Sequence, residues 1–183
     1  GVHMQIIEKE TDKTVYDFIT DDKAMNFVFD YGKTYIAREV ETVEGYYKND
    51  KDIEFIATPN LTVDFYNSPI LTRLQVNKID KDTKELIVNN PFTFAVFADK
   101  NCTHLLDILE TDSNKGIALS KIVLRYGKVY LKEIKGPNGY KINHNVIEIN
   151  INDDLEGVGD THVIDIENEK ITEPSRSEEH TSE

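Results

Sequence analysis

The stretch Tyr126-Gly-Lys-Val-Tyr-Leu-Lys-Glu133 alternates apolar and polar side chains, and it recurs as Tyr31-Gly-Lys-Thr-Tyr-Ile-Ala-Arg-Glu39. A period of two places successive side chains on opposite faces of a strand. Each copy is followed six residues later by a Gly-Tyr pair, Gly45-Tyr46 and Gly139-Tyr140. A further alternating run then comes at 52–57 and at 146–151, and a last one ends in Asn67 or Asn168. Self-similarity of this kind predicts two copies of one β fold in tandem.

Other short runs of the same character lie at 26–29, 61–66, 74–79, 91–97 and 163–167, separated by Gly, Asn, Asp and Pro. Their length and spacing predict strands of sandwich-like domains, so the fold class is all-β. Residues 103–110 are too short an apolar run to decide between helix and strand. The expected organisation is a first domain at 5–70, a second at 71–171 and a polar tail or linker at 172–183. The boundary is set by Ser68-Pro69-Ile70, and so short a linker implies a stiff rod of modules. The leading Gly1-Val-His-Met4 has the look of residues left by cloning.

The 183 residues carry a formal charge of −13 and no Trp. A chain this acidic repels nucleic acid and anionic lipid, and no apolar run is long enough to insert in a membrane. Cys102 is the sole cysteine, which suits a cytosolic protein or a surface protein stapled by another crosslink.

Alternation also assigns faces. Lys78 shares one with Leu74 and Val76, Glu133 with Val129 and Leu131, and Asn168 with Ile164 and Ile166. Each of these polar groups is costly to bury unpaired, and three of them in one domain call for a common explanation. A lysine among apolar groups loses its proton more easily and becomes nucleophilic. A carboxylic acid taken from water favours its protonated form and can shuttle protons. Attack of Lys78 on the Asn168 carboxamide, with loss of ammonia, would leave an amide crosslink, with proximity replacing an enzyme. The plainer alternatives are that Lys78 snorkels and pairs with Glu133, and that Asn67 and Asn168 cap strand ends.

The segments Lys78-Ile-Asp-Lys-Asp-Thr, Phe92-Thr-Phe, Tyr126 to Tyr140 and Ile166-Glu-Asn-Glu-Lys resemble the Cna B-type (CnaB, SpaA-like) domains of Gram-positive pilins and surface adhesins. The resemblance covers about residues 72–171, and Gly136 departs from the Ala usual before Pro. It implies a transthyretin-like (Ig-like, prealbumin-like) β-sandwich. It also implies an isopeptide bond between Lys78 and Asn168, formed with Glu133 as the catalytic residue.

Residues 5–70 are similar to the same family, incompletely. Glu39 and Asn67 stand where the catalytic Glu and the bonding Asn would be. If Gln5-Ile-Ile-Glu matches the segment at Phe92, the lysine strand would precede residue 1. Lys9 is the alternative, but it lies 30 residues before Glu39, against 55 between Lys78 and Glu133. A domain without its first strand would expose an edge that a lysine-bearing strand from a partner could complete.

The leading expectation is a stalk or spacer at the bacterial cell wall. It is extracellular, in contact with neighbouring modules of its own protein, and non-enzymatic apart from its own crosslinking. A binding role toward a host ligand would rest on the 98–121 excursion as its one long loop. A prealbumin-like hydrolase or an accessory module of a secreted enzyme lacks catalytic residues: Cys102 and His104 make no dyad, and nothing resembles a Ser-His-Asp set. The histidines lack metal-ligand spacing, the acidic runs at 80–82 and 152–154 fit solvated turns better than calcium loops, and no cofactor is expected.

Overall fold

In the computed structural model, residues 1–152 and 161–173 are described. Asp153, Asp154 and most of the polar tail lie outside the described residues. The chain divides into two compact units, Gly1–Ile70 and Leu71 onward. No helix occurs among the described residues.

Unit 1 contains β1 (His3–Glu8), β2 (Lys13–Ile19), β3 (Thr34–Glu41), β4 (Tyr46–Tyr47), β5 (Ile53–Ile56) and β6 (Ser68–Pro69). Its main sheet has the order β2-β1-β3-β5, all antiparallel, and β4 pairs with β6. Ile6, Tyr35 and Ala57 form its buried centre, against which Tyr16, Phe18, Phe27, Phe29 and Phe55 pack. The leading residues take part: Met4 is buried in β1 opposite Glu39.

Unit 2 contains β7 (Leu71–Asp80), β8 (Thr93–Phe97), β9 (Leu105–Ile108), β10 (Glu110–Asp112), β11 (Ile117–Leu119), β12 (Leu124–Arg125), β13 (Gly127–Lys135), β14 (Ile147–Ile151) and β15 (Thr161–Asn168). One sheet runs β14-β13-β8-β9. The other is centred on β7, which pairs with β11 and β12 and, in parallel, with β15. Leu74, Val76, Phe92, Phe94, Val96, Leu131 and Ile166, all buried, supply apolar side chains from both sheets. This is the two-layer logic of a β-sandwich, each sheet hiding one face against the other.

The order β2-β1-β3-β5 repeats β9-β8-β13-β14 strand for strand. Met4 lies opposite Glu39 as Phe94 lies opposite Glu133, so the registers also correspond. The second sheets differ. Unit 2 has β7 at its centre, whereas no strand of unit 1 takes that place.

Two runs expected as strands, 26–29 and 61–66, are in no strand. Both have the composition of strands, but no neighbouring strand supplies the ladder hydrogen bonds that would fix them. The ambiguous 103–110 run is extended, as β9 and the start of β10. The 98–121 excursion accordingly carries three short strands, β9, β10 and β11, and is not one open loop. Asp80 departs from its expected solvated turn: it is buried and accepts hydrogen bonds from the Asp82 and Thr83 amides and the Tyr140 hydroxyl.

Candidate functional site: a buried Lys-Glu-Asn cluster

The parallel register of β15 on β7 sets Ile166 beside Lys78 and Asn168 beside Asp80. Lys78 and Asn168 therefore sit two residues apart in register on adjacent strands, with their side chains on one face. Glu133 reaches the same point from β13 in the facing sheet. Lys78 is 0%, Glu133 2% and Asn168 2% exposed, so the structure brings all three together away from water.

The carboxylate of Glu133 bridges the other two groups. Its Oε1 is 2.7 Å from Lys78 Nζ, and its Oε2 accepts from Asn168 Nδ2 at 2.9 Å. Asn168 Nδ2 also donates to the Lys141 carbonyl at 2.8 Å. The Lys–Glu contact is close but lacks the angles of a hydrogen bond, which leaves Lys78 Nζ and Asn168 Oδ1 without hydrogen-bond partners. Unsatisfied atoms in so buried a place are unusual. Burial pushes the Lys78 pKa down from its ordinary value, against the opposing pull of Glu133. The amine also lies over the Phe94 ring, 4.8 Å from its centroid.

Asn143, which the sequence reading did not single out, orients the carboxylate. Its backbone N–H donates to Glu133 Oε2 at 2.6 Å, and its side-chain amide donates to the Glu167 carbonyl at 3.3 Å. In unit 1, Asn49 repeats both contacts, to Glu39 Oε2 at 2.9 Å and to the Tyr66 carbonyl at 3.0 Å. Extending the Gly-Tyr repeat by three residues would have found the pair, since Gly45-Tyr-Tyr-Lys-Asn49 matches Gly139-Tyr-Lys-Ile-Asn143.

The rest of the cluster is duplicated as well. Glu39 is 2% exposed, and both its oxygens lie 2.8 Å from Asn67 Nδ2, which also donates to the Tyr47 carbonyl at 3.1 Å. The lysine has no counterpart. Lys9 is at the surface, with its Nζ 2.7 Å from Glu54, and among the described residues no lysine pairs with Glu39.

Residues 72–170 match the SpaA family, described as a prealbumin-like fold domain, and the chain belongs to that family. The Bacillus anthracis TIE protein is similar in structure, with a TM-score of 0.66 and 18% identity over 93% of this chain. The C-terminal fragment of the pilus adhesin SpaC from Lactobacillus rhamnosus GG is also similar, with a TM-score of 0.57 and 13% identity. That match covers 94% of this chain and 90% of the fragment. The present chain spans 31% of the TIE protein. No curated protein matches the chain.

Proposed function

We propose that the chain is a load-bearing spacer of a Gram-positive surface protein or pilus, whose second unit is locked by an amide bond between Lys78 and Asn168. The observation that carries this reading is the contact of one buried carboxylate, Glu133, with both the lysine nitrogen and the amide nitrogen. The neutral Lys78 amine attacks Asn168 Cγ, and Glu133 takes a proton from Nζ and delivers one to Nδ2. The Cγ–Nδ2 bond breaks, and ammonia leaves. Burial assists because the amine gives up its charge more readily away from water. The product would account for the unpartnered Lys78 Nζ, which becomes an amide nitrogen bonded to Asn168 Cγ.

The location of the bond suits a stalk. The chain enters unit 2 on β7 and leaves on β15, and the bond joins these two strands. Tension applied at the two ends passes through the bond, and the roughly 90 residues between its ends bear none of it. Assignment to the outer surface of a Gram-positive cell, beside further modules of the same protein, rests on the family and on the pilus adhesin among similar structures.

Intact-mass measurement tests the reading. The folded chain is expected to weigh less than its sequence by one ammonia, and Lys78→Met, Glu133→Gln and Asn168→Ala are each expected to restore the full mass. A wild-type chain at full mass would remove the bond.

A further inference from the structure

We infer that Tyr140 and Asp80 are positioning residues for the crosslink of unit 2: their hydrogen bond latches the turn whose Lys141 carbonyl holds the departing nitrogen of Asn168. This role rests on the reaction proposed for Lys78 and Asn168.

A carboxamide has two ends of similar shape, a donor NH2 and an acceptor oxygen. Attack of Lys78 on Cγ expels the nitrogen end, so that end has to point at the group that delivers its proton. Asn168 Nδ2 faces two acceptors, Glu133 Oε2 at 2.9 Å and the Lys141 carbonyl at 2.8 Å. Turning the carboxamide over would aim Oδ1 at both. Glu133 by itself does not forbid that, because once it has taken the Nζ proton it can donate to Oδ1 as well as accept from Nδ2. The Lys141 carbonyl can only accept. It therefore selects the orientation in which Nδ2 meets Glu133. As Nζ bonds to Cγ, Glu133 passes a proton to Nδ2, the Cγ–Nδ2 bond breaks, and ammonia departs from the Lys141 carbonyl.

The carbonyl is held from two sides. Residues 139–141 run antiparallel to the residues just after β15, with Tyr140 opposite Lys170. The Lys141 N–H donates to the Glu169 carbonyl at 2.8 Å, and the Ile171 N–H to the Gly139 carbonyl at 2.9 Å. These bonds tie the turn to the asparagine strand but not to β7, which carries the nucleophile. The Tyr140 hydroxyl supplies that second tie, donating to Asp80 Oδ2 at 2.9 Å. Asp80 lies on β7 in register with Asn168 and shares the buried face of Lys78. Its Oδ1 accepts from the Asp82 and Thr83 amides at 2.9 and 3.1 Å, and Lys170 Nζ lies 3.1 Å from Oδ2, so the acceptor is itself fixed. Unit 1 has the ladder without the latch. Gly45 accepts from the Ile70 N–H, and Asn67 Nδ2 reaches the Tyr47 carbonyl at the longer distance of 3.1 Å. Tyr46, which the repeat matches to Tyr140, is 41% exposed.

Freshly synthesised full chain would be quenched at intervals and its intact mass followed as ammonia is lost. Tyr140→Phe keeps the ring and removes the latch, and it is expected to convert roughly two- to tenfold more slowly than wild type, the scale of one hydrogen bond. Ser120→Ala removes a different buried hydrogen bond on β7, from the Leu74 amide, and is expected to convert at the wild-type rate. In an Asp80→Ala chain, adding Tyr140→Phe should slow conversion no further, because the two residues act through one contact. A second readout needs no reaction. In the Lys78→Met chain, the Asn168 side-chain amide protons should exchange with solvent faster when Tyr140→Phe is added, and not when Ser120→Ala is added. Tyr140→Phe converting as fast as wild type, or slowed no more than Ser120→Ala, would overturn the assignment and leave the crosslink standing. Further slowing on the Asp80→Ala background would remove Asp80 from the role. A wild-type chain at full mass would overturn the crosslink, and this role with it.

Discussion

Lys78 Nζ stands 2.7 Å from Glu133 Oε1, with both side chains withdrawn from solvent. Taken alone, this is a buried ion pair, an arrangement whose desolvation often offsets its attraction. Asn168 lies on the second oxygen of the same carboxylate, the arrangement on which the proposed crosslink rests.

The proposed crosslink should dominate the stability of unit 2. Lys78→Met keeps the length of the side chain and removes the amine. Loss of a closure of this size costs about 4–5 kcal/mol on the loop-entropy account. Calorimetry should therefore show a Tm lower by roughly 20 °C or more for a domain of this size. An unchanged Tm would contradict the bond; a drop is read together with the intact mass, because leaving Glu133 buried without its partner also destabilises. Glu133→Gln should likewise lower Tm, since it blocks the bond and leaves the buried Lys78 amine without its carboxylate partner.

Asn143 should control the rate of crosslinking more than its extent. Asn143→Ala retains the backbone N–H that Glu133 accepts, but it removes the ties to the Glu167 carbonyl and the Asn145 amide. Freshly synthesised protein sampled over time by mass should convert to the light form several-fold more slowly than wild type. Equal rates would show that the backbone contact alone orients the carboxylate.

Asp80 should shape the acid limb of stability. The Thr83 and Asp82 amides, and then the Tyr140 hydroxyl, hold its carboxyl well below the usual carboxylate range. A group whose pKa is depressed on folding stabilises above its unfolded pKa, and this stability is lost as pH falls through the lower folded value. The contribution should thus be intact at neutral pH and fade from about pH 4 downward. In urea titrations Asp80→Asn should flatten the dependence in that window, whereas an equally steep acid limb would assign it to other carboxylates. Tyr140→Phe should lower Tm by a few degrees at neutral pH, the scale of one hydrogen bond.

Two glycines with similar backbones should respond differently to a methyl group. Gly116 and Gly139 have φ of 69° and 82°, so an alanine is strained at either position. Only at Gly116 would the new Cβ also meet backbone, 2.7 Å from the Ile87 carbonyl oxygen. Gly116→Ala should therefore lower Tm clearly more than Gly139→Ala, and equal losses would mean that the Ile87 segment yields at little cost.

Much of the candidate site is legible in the chain because a strand has a period of two. That period alone places Lys78, Glu133 and Asn168 on apolar faces, and the repeat picks out Glu39 and Asn67. The runs at 26–29 and 61–66 mislead for a related reason. Their side chains have strand character, but a strand exists only where a neighbour accepts its hydrogen bonds, and composition does not record the neighbour. Asp80 shows the same blindness: its burial comes from Tyr140, sixty residues away, closing over its turn.

The sequence by itself determined the all-β class, the repeated motif and the identity of the three groups in unit 2, because alternation and self-similarity are local properties. Only the tertiary structure decided that one carboxylate spans both nitrogens, that Asn143 and Asn49 orient the two carboxylates, and that Lys9 stays at the surface. It also shows the repeat to be unequal. In unit 2 the parallel pairing of β7 and β15 buries the last strand, while in unit 1 the matching segment flanks an open groove. Pairing is a relation between distant segments, and its geometry follows from which strands are present to share hydrogen bonds.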